Sequence, residues 1–221
     1  MKISFVAWFL LASATMPAQL IRFDNSPVGP LTGEWTVGMT HKGGPPAWEI
    51  LPDPSAPSKP NVLAQTSTDS TGGRFPFAIY NGASVKDGSV SVRFKAISGR
   101  VDQAAGLVWR FRDANNYYIV RTNSLENNIV FYKVENGERI SLAPRNMPSR
   151  TYGVKHTVPK QKWNTLKVEF KGSMFTVFFD GEKIMELEDS TFSQPGKTGL
   201  WTKADSVTYF DDFQIADEGK R

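Results

Sequence analysis

The chain has no cysteine among its 221 residues and only two histidines. The first absence excludes disulfides, thiolate metal sites, a cysteine nucleophile and a lipid anchor on cysteine. The second leaves His41 and His156 as the only imidazole groups, each in loop-like sequence and without a partner at metal-ligand spacing. No lysine or arginine run is present. Basic residues number 26 against 22 acids, so the net charge of +4 reads as a solubility charge, not a nucleic-acid footprint. The 3.6-residue apolar period of helices is nearly missing, and only Ser190–Gln194 is expected to form one helical turn. There is no Gly-rich phosphate loop, nucleophile elbow or zinc motif, and no repeat at solenoid or propeller spacing. Beyond the first dozen residues no apolar run is long enough to span a bilayer, so no transmembrane segment is expected.

What is present begins with a secretory pattern. Lys2 supplies the charge, Ile3–Ala12 the apolar stretch, and Ala12-Ser13-Ala14 a small-x-small cleavage site, with a second site after Ala18. The expectation is a signal peptide over residues 1–18, a domain over 19–217, a flexible tail over 218–221, and export to the periplasm or the extracellular space.

The remainder reads as short strands between turns. Ser89–Ala96 and Trp163–Phe170 alternate apolar with polar residues, as strands with one buried face do. Leu51–Pro60 carries prolines at 52, 54, 57 and 60 and suits a long surface loop. Gly106–Arg112 and Tyr117–Asn123 form a hairpin around Asp113-Ala114-Asn115-Asn116. Pairing Arg112 with Tyr117 puts Leu107, Trp109, Phe111, Tyr118 and Val120 on one apolar face. The other face then carries Val108, Arg110, Arg112, Tyr117, Ile119 and Arg121, and a one-residue slip would bury the arginines. A third strand follows over Asn128–Val134, with a turn at Asn136-Gly137. A dozen or so such strands predict an all-β, two-sheet antiparallel sandwich or jelly roll.

Three ordered stretches carry a resemblance. They are GLVWRFRDANNYYIVRTNSLENNIVFYKVENG, WNTLKVEFKGSMFTVFFDGEKIMELED and GKTGLWTKADSVTYFDDFQI, with Asn61–Gln65 and Phe77–Tyr80 upstream. Together they resemble the concanavalin A-like lectin/glucanase (laminin-G-like) jelly roll, and within it the bacterial domains related to the 3-keto-disaccharide hydrolase domain. The resemblance spans roughly Leu20 to Ala216. It implies two curved antiparallel sheets, with ligands taken on the concave face or its rim. The fold alone does not fix an activity. A calcium ion that ties the chain ends together in some members implies Asp212 and Asp24 as structural ligands.

The candidate ligand site is the outward hairpin face: Arg110, Tyr117 and Arg121, joined by Arg93 and Lys95 if Ser89–Ala96 is the neighbouring strand. Val130 and Tyr132 join it if the third strand faces that way, which its apolar residues on both sides leave open. Guanidinium forks donate in fixed geometry to hydroxyls or carboxylates, and aromatic faces cover sugar C–H groups. The competing reading is a solvated sheet face. A glucanase of this fold would carry two carboxylates on one strand in an E-x-D-x-x-E pattern, about 5 Å apart or about 6.5–9.5 Å apart. That pattern is absent, and Glu186-Leu187-Glu188-Asp189 has the wrong spacing. Trp35, Trp48, Trp163 and Trp201 suit core or rim packing better than sugar platforms.

The expected function is binding of a glycan or a modified disaccharide. The alternative is a hydrolase or lyase on 3-keto-glycosides, which would need an acid/base and a metal set that the chain does not display. A third reading is an adhesion module without a small ligand, favoured if Leu51–Pro60 covers the concave face.

Overall fold

The computed structural model describes residues 18–219. All of the expected signal segment but Ala18 lies outside the described residues, as do the last two residues of the tail. The described residues hold seventeen strands and no helix, and every pairing is antiparallel. Ser190–Gln194 is bent coil, not the helical turn its sequence predicts; Asp189 Oδ1 accepts the Thr191 N–H and closes a local turn instead.

One sheet has nine strands in the order β15 (Glu182–Glu188), β14 (Met174–Phe179), β13 (Asn164–Lys171), β7 (Gly88–Ser98), β17 (Val207–Asp217), β5 (Asn61–Gln65), β4 (Trp48–Pro52) and β2 (Gly29–Pro30), with β1 (Ala18–Ile21) also paired to β17. The other has eight: β11 (Glu138–Leu142), β10 (Asn128–Glu135), β9 (Asn116–Asn123), β8 (Ala104–Asp113), β16 (Gly196–Trp201), β6 (Phe75–Val85) and β3 (Trp35–Thr40), with β12 (Val154–Lys155) beside β10. Alternation within each strand sends one set of side chains between the sheets. Leu107, Trp109, Tyr118, Val120 and Phe131 meet Val92, Phe94, Val168, Phe170 and Phe175 there. Trp109 is the centre of that core, with Tyr118, Phe131, Phe170 and Phe175 at ring distances of 5.6, 5.1, 6.1 and 5.8 Å.

A second apolar cluster lies on the opposite face of the eight-stranded sheet. It holds Phe75, Phe77, Ile79, Val108, Tyr117, Ile119, Val134 and Trp201. These side chains are buried although no sheet covers them, because the sheet curls. Thr40 at the end of edge strand β3 reaches the Tyr117 hydroxyl at 2.6 Å and the Ala114 carbonyl at 2.6 Å. His41 follows it and contacts the Gly137 carbonyl, 2.7 Å away, in the turn before the other edge strand. The two edges thus meet over this face, which is the concave one; the hollow inside its curl is floored by that cluster, whose buried members are at most 4% exposed. The β10–β11 turn has the predicted Asn-Gly pair with both φ positive, at 53° and 84°, which only such residues adopt without strain.

Candidate functional site

The hairpin β8–β9 sets the site, and its register departs from expectation. Trp109 pairs with Tyr118 and Leu107 with Val120, whereas Asp113 pairs with Asn116. A bulge between Trp109 and Asp113 absorbs two residues, centred on Arg110 at φ 47°. A shift of two preserves the faces, so Trp109, Leu107, Tyr118 and Val120 stay in the core. The bulge does turn over the residues within it. Phe111 joins the concave cluster, correcting its assignment to the core, and Arg110 turns inward.

Arg110 therefore does not share a face with Arg121. Its guanidinium lies over Phe170 and Phe175, at 5.7 and 5.5 Å, between the sheets. It donates to the carbonyls of Lys86, Phe192 and Gly172 at 2.7–3.1 Å and to Asp87 Oδ1 at 3.4 Å. It ties the β6–β7 connection between the sheets, the β13–β14 turn and the segment after β15 to a strand of the eight-stranded sheet. Gly196 beside it has no room for a Cβ, which would come within 2.4 Å of the Arg110 carbonyl carbon.

Arg93 and Lys95 are also displaced from the expected site. Their strand β7 lies in the nine-stranded sheet, between β13 and β17, and not beside the hairpin. Arg93 is exposed on that sheet's outer face, opposite Thr165 and Asp211. Lys95 is buried on the same face beneath the proline-rich loop, where its Nζ meets Asp53 and lies 5.1 Å from the Trp163 ring. Ser58 of that loop donates to Asp211. The loop Leu51–Pro60 hence covers the outer face of the nine-stranded sheet, away from the concave hollow.

Arg121 and Tyr132 do reach the hollow, as does Tyr117, which is buried in its apolar floor on Thr40. Burial pushes the Tyr117 hydroxyl up to about 12. Arg121 is 1% exposed. One terminal nitrogen, Nη2, donates to Glu126 Oε2 (3.2 Å) and to the hydroxyls of Tyr132 (3.1 Å) and Tyr152 (3.3 Å). Its Nε and Nη1 have no hydrogen-bond partner. The Tyr132 and Tyr152 hydroxyls are 2.5 Å apart, and Tyr152, 51% exposed, lies at the surface above Arg121. Gly106 faces Arg121 across the ladder, and its missing side chain leaves space for the Trp201 indole, 3.3 Å from where a Cβ would stand.

A second guanidinium shares the Tyr132 ring with the first, which lies 5.9 Å from its centre. Arg139 is half-buried, 4.5 Å from the ring centres of both Phe75 and Tyr132 and 5.9 Å from that of Trp201. It makes no ion pair among the described residues, and its Nη1 is buried without a partner. The acids nearby are engaged. Asp102, 1% exposed, is held by Asn123 Nδ2 and by Lys203 Nζ. Burial raises the Asp102 pKa above the ordinary range, and the Lys203 contact offsets this only in part. Glu126 accepts from Asn123, Asn128 and Arg121. Burial pushes its carboxyl up, but the Arg121 charge and these hydrogen bonds outweigh that and hold it below its usual value.

Arg139, Tyr152, Asp102 and Lys203 escape the sequence reading. Strand β11 is short and mixed, so Arg139 carries no periodic signal. Tyr152 lies in the irregular segment between β11 and β12. The Asn-Gly turn before β11 was the one available pointer to a further strand.

The remaining candidates have other surroundings. His41 bridges the Gly73 and Gly137 carbonyls, and the His156 ring packs edge-on against Phe179, 4.8 Å away. Asp212 pairs with Arg22 at 3.1 Å, and Asp24 has one buried oxygen without a partner. Calcium takes six to eight oxygens. An ion here would have to displace Arg22 and draw most of its ligands from main-chain carbonyls, so these two aspartates are a poor fit to it. No group of three acid or histidine side chains placed to hold a metal occurs among the described residues. No helix among them is long and apolar enough to cross a membrane.

The fold has solved counterparts. The carbohydrate-binding module CBM66 from Bacillus subtilis is 21% identical, with a TM-score of 0.63 over 86% of this chain and 100% of that one. Domain 4 of AbnA, a GH43 extracellular arabinanase from Geobacillus stearothermophilus, solved in complex with arabinotriose, is 14% identical, with a TM-score of 0.53 over 90% and 93% of the two chains. A Bacillus subtilis protein of unknown function with a galectin-like fold is 13% identical, with a TM-score of 0.52 over 90% and 98%. No curated protein matches by sequence. A family pattern does match, over residues 33–216, and by it the chain belongs to the 3-keto-alpha-glucoside-1,2-lyase-like domain family.

Proposed function

We propose that this protein binds a saccharide in the hollow of its eight-stranded sheet, with Arg121, Arg139, Tyr132 and Tyr152 as the contacting groups. One observation carries the reading: a guanidinium that is 1% exposed keeps two nitrogens without acceptors, and the Tyr132 ring it lies over is shared by a second guanidinium with no ion pair among the described residues. A buried donor without a partner costs about 1–3 kcal/mol. Sugar oxygens would relieve that cost, and the exposed face of Tyr152 offers flat apolar area to sugar C–H groups. The carbohydrate-binding module and the arabinanase domain of like fold support a saccharide as the ligand class. The leader pattern at Lys2–Ala14 supports action outside the cytoplasm.

The test is a glycan array probed with the wild type, with Arg139→Ala, with Tyr152→Ala, and with Arg93→Ala on the far sheet as control. Arg139→Ala and Tyr152→Ala are expected to lose binding while Arg93→Ala retains it. No glycan bound, or binding unchanged in Arg139→Ala, removes this site.

A second reading follows from the family match. Elimination across C1–C2 of a 3-keto-glycoside removes a C2 proton made acidic by the neighbouring carbonyl, forms the C1–C2 double bond and breaks the C1–O bond, the departing aglycone oxygen taking up a proton. Asp102 is the buried carboxyl in the hollow whose pKa is raised, as suits a general base. Turnover of a 3-keto-glycoside that disappears in Asp102→Asn at unchanged thermal stability would favour the enzyme.

A further inference from the structure

We propose that the saccharide bound in the hollow is an acidic one, and that its carboxylate sits between Arg121 and Arg139. This rests on the saccharide reading above and narrows it to a ligand class.

Both carboxylates near the hollow are already occupied, Asp102 by Asn123 and Lys203, Glu126 by Asn123, Asn128 and Arg121. The vacant positions are mostly donors: Arg121 Nε and Nη1 and Arg139 Nη1. Two buried amide oxygens also lack a partner, Gln103 Oε1 just before β8 and Asn128 Oδ1, of which Asn128 belongs to the Arg121–Glu126 cluster. A neutral sugar hydroxyl accepts from a guanidinium, but it also brings its own O–H, and the hollow has few acceptors left to take those protons. An ionised carboxylate accepts only. Its two oxygens match a planar guanidinium fork, which donates to them in parallel.

Charge points the same way. Arg121 shares Glu126 with two asparagines, and Arg139 has no anionic partner among the described residues. Arg139 is nonetheless half-buried against three aromatic rings. A cation held partly out of water without a counter-ion is stabilised by whichever anion the ligand brings. A sulfate ester is also an acceptor-only anion that a guanidinium fork can take through two oxygens, and the experiment separates the two.

Binding is measured by calorimetry on the full domain. The probes are oligogalacturonate, oligomannuronate and oligoglucuronate, each with its carboxyl-reduced neutral counterpart, and a sulfated neutral oligosaccharide. At least one uronate series is expected to bind, with its reduced counterpart at least tenfold weaker. Raising the salt from low to physiological strength should weaken the uronate and not the neutral sugar. Arg139→Gln should lose at least tenfold for the uronate, and Arg139→Lys, which keeps the charge but not the fork, should fall between. Neutral oligosaccharides binding as well as the uronates would overturn the proposal and leave saccharide binding standing. Sulfated sugar binding in place of every uronate would overturn the carboxylate assignment. No binding by any probe would overturn both readings.

Discussion

Arg110 and Arg121 leave opposite faces of one sheet: the first closes over Phe170 and Phe175 between the layers, the second enters the hollow beside Tyr132. The same residue type serves two ends. Arg110 has acceptors at Nε, Nη1 and Nη2, mainly main-chain carbonyls, and so acts as a clamp. Arg121 has acceptors for only one of its three nitrogens.

Arg110→Ala should therefore damage stability and not recognition. It would leave the buried Phe192 carbonyl without its donor, remove the donors to the carbonyls of Lys86 and Gly172 in their exposed turns, and open a cavity beside Phe170 and Phe175. Hydrogen bonds to a charged group contribute about 1.5–3 kcal/mol each, without being additive, so a loss of about 3 kcal/mol or more is expected. For a chain of this size that is a fall in Tm of roughly 6–12 °C. Calorimetric melting checks it; a fall below about 2 °C would show that the clamp contributes little.

The legibility of these two arginines differs for a physical reason. Alternation gave the correct faces to Trp109, Leu107, Tyr118 and Val120, because the register is off by two and not by one. The bulge that inverts Arg110 has no local signature: Arg at φ 47° is an uncommon choice, and tertiary acceptors from Lys86, Gly172 and Phe192 hold it there. Arg139 was invisible because its strand is five residues of mixed character. Its position matters only once the sheet has curled enough to bring Phe75, Tyr132 and Trp201 around it. Two-sheet architecture and most of the longer strands were legible, though not β2, β11 or β12; the curl, and hence which side chains share the hollow, depended on contacts between distant edges such as His41 with Gly137.

Lys95 and Asp53 form a nearly buried ion pair, with side chains 11% and 7% exposed. Lys95→Met would leave the Asp53 carboxylate without its cation, at an expected cost of about 3 kcal/mol. Replacing both, as Lys95→Met with Asp53→Leu, should cost less than the single change, since no uncompensated charge remains. Denaturant titration of the two variants checks this. A double variant less stable than the single one would show that the pair holds the proline-rich loop in place by more than charge neutralisation.

Alkaline pH should unfold the protein through its buried tyrosines. The Tyr117 hydroxyl is raised by burial to about 12, against about 10 in an unfolded chain, and Tyr118 and Tyr132 are raised in the same direction, chiefly by burial. A raised pKa means that the folded state favours the protonated form. The associated stability is whole below pH 10 and drains away as the pH climbs from 10 towards 12, because the unfolded chain loses the proton first. Phenolate absorbance followed alongside near-ultraviolet circular dichroism tests this. Most of the six tyrosines are expected to ionise only in step with loss of the native signal, and Tyr117→Phe should shallow the fall in stability over that interval. All six titrating near pH 10 in a protein whose native signal persists would mean that the hollow is open enough to hydrate its floor. The apolar cluster around Tyr117 and Trp201 would then be a wet groove, and Arg121 would have water as its missing acceptor.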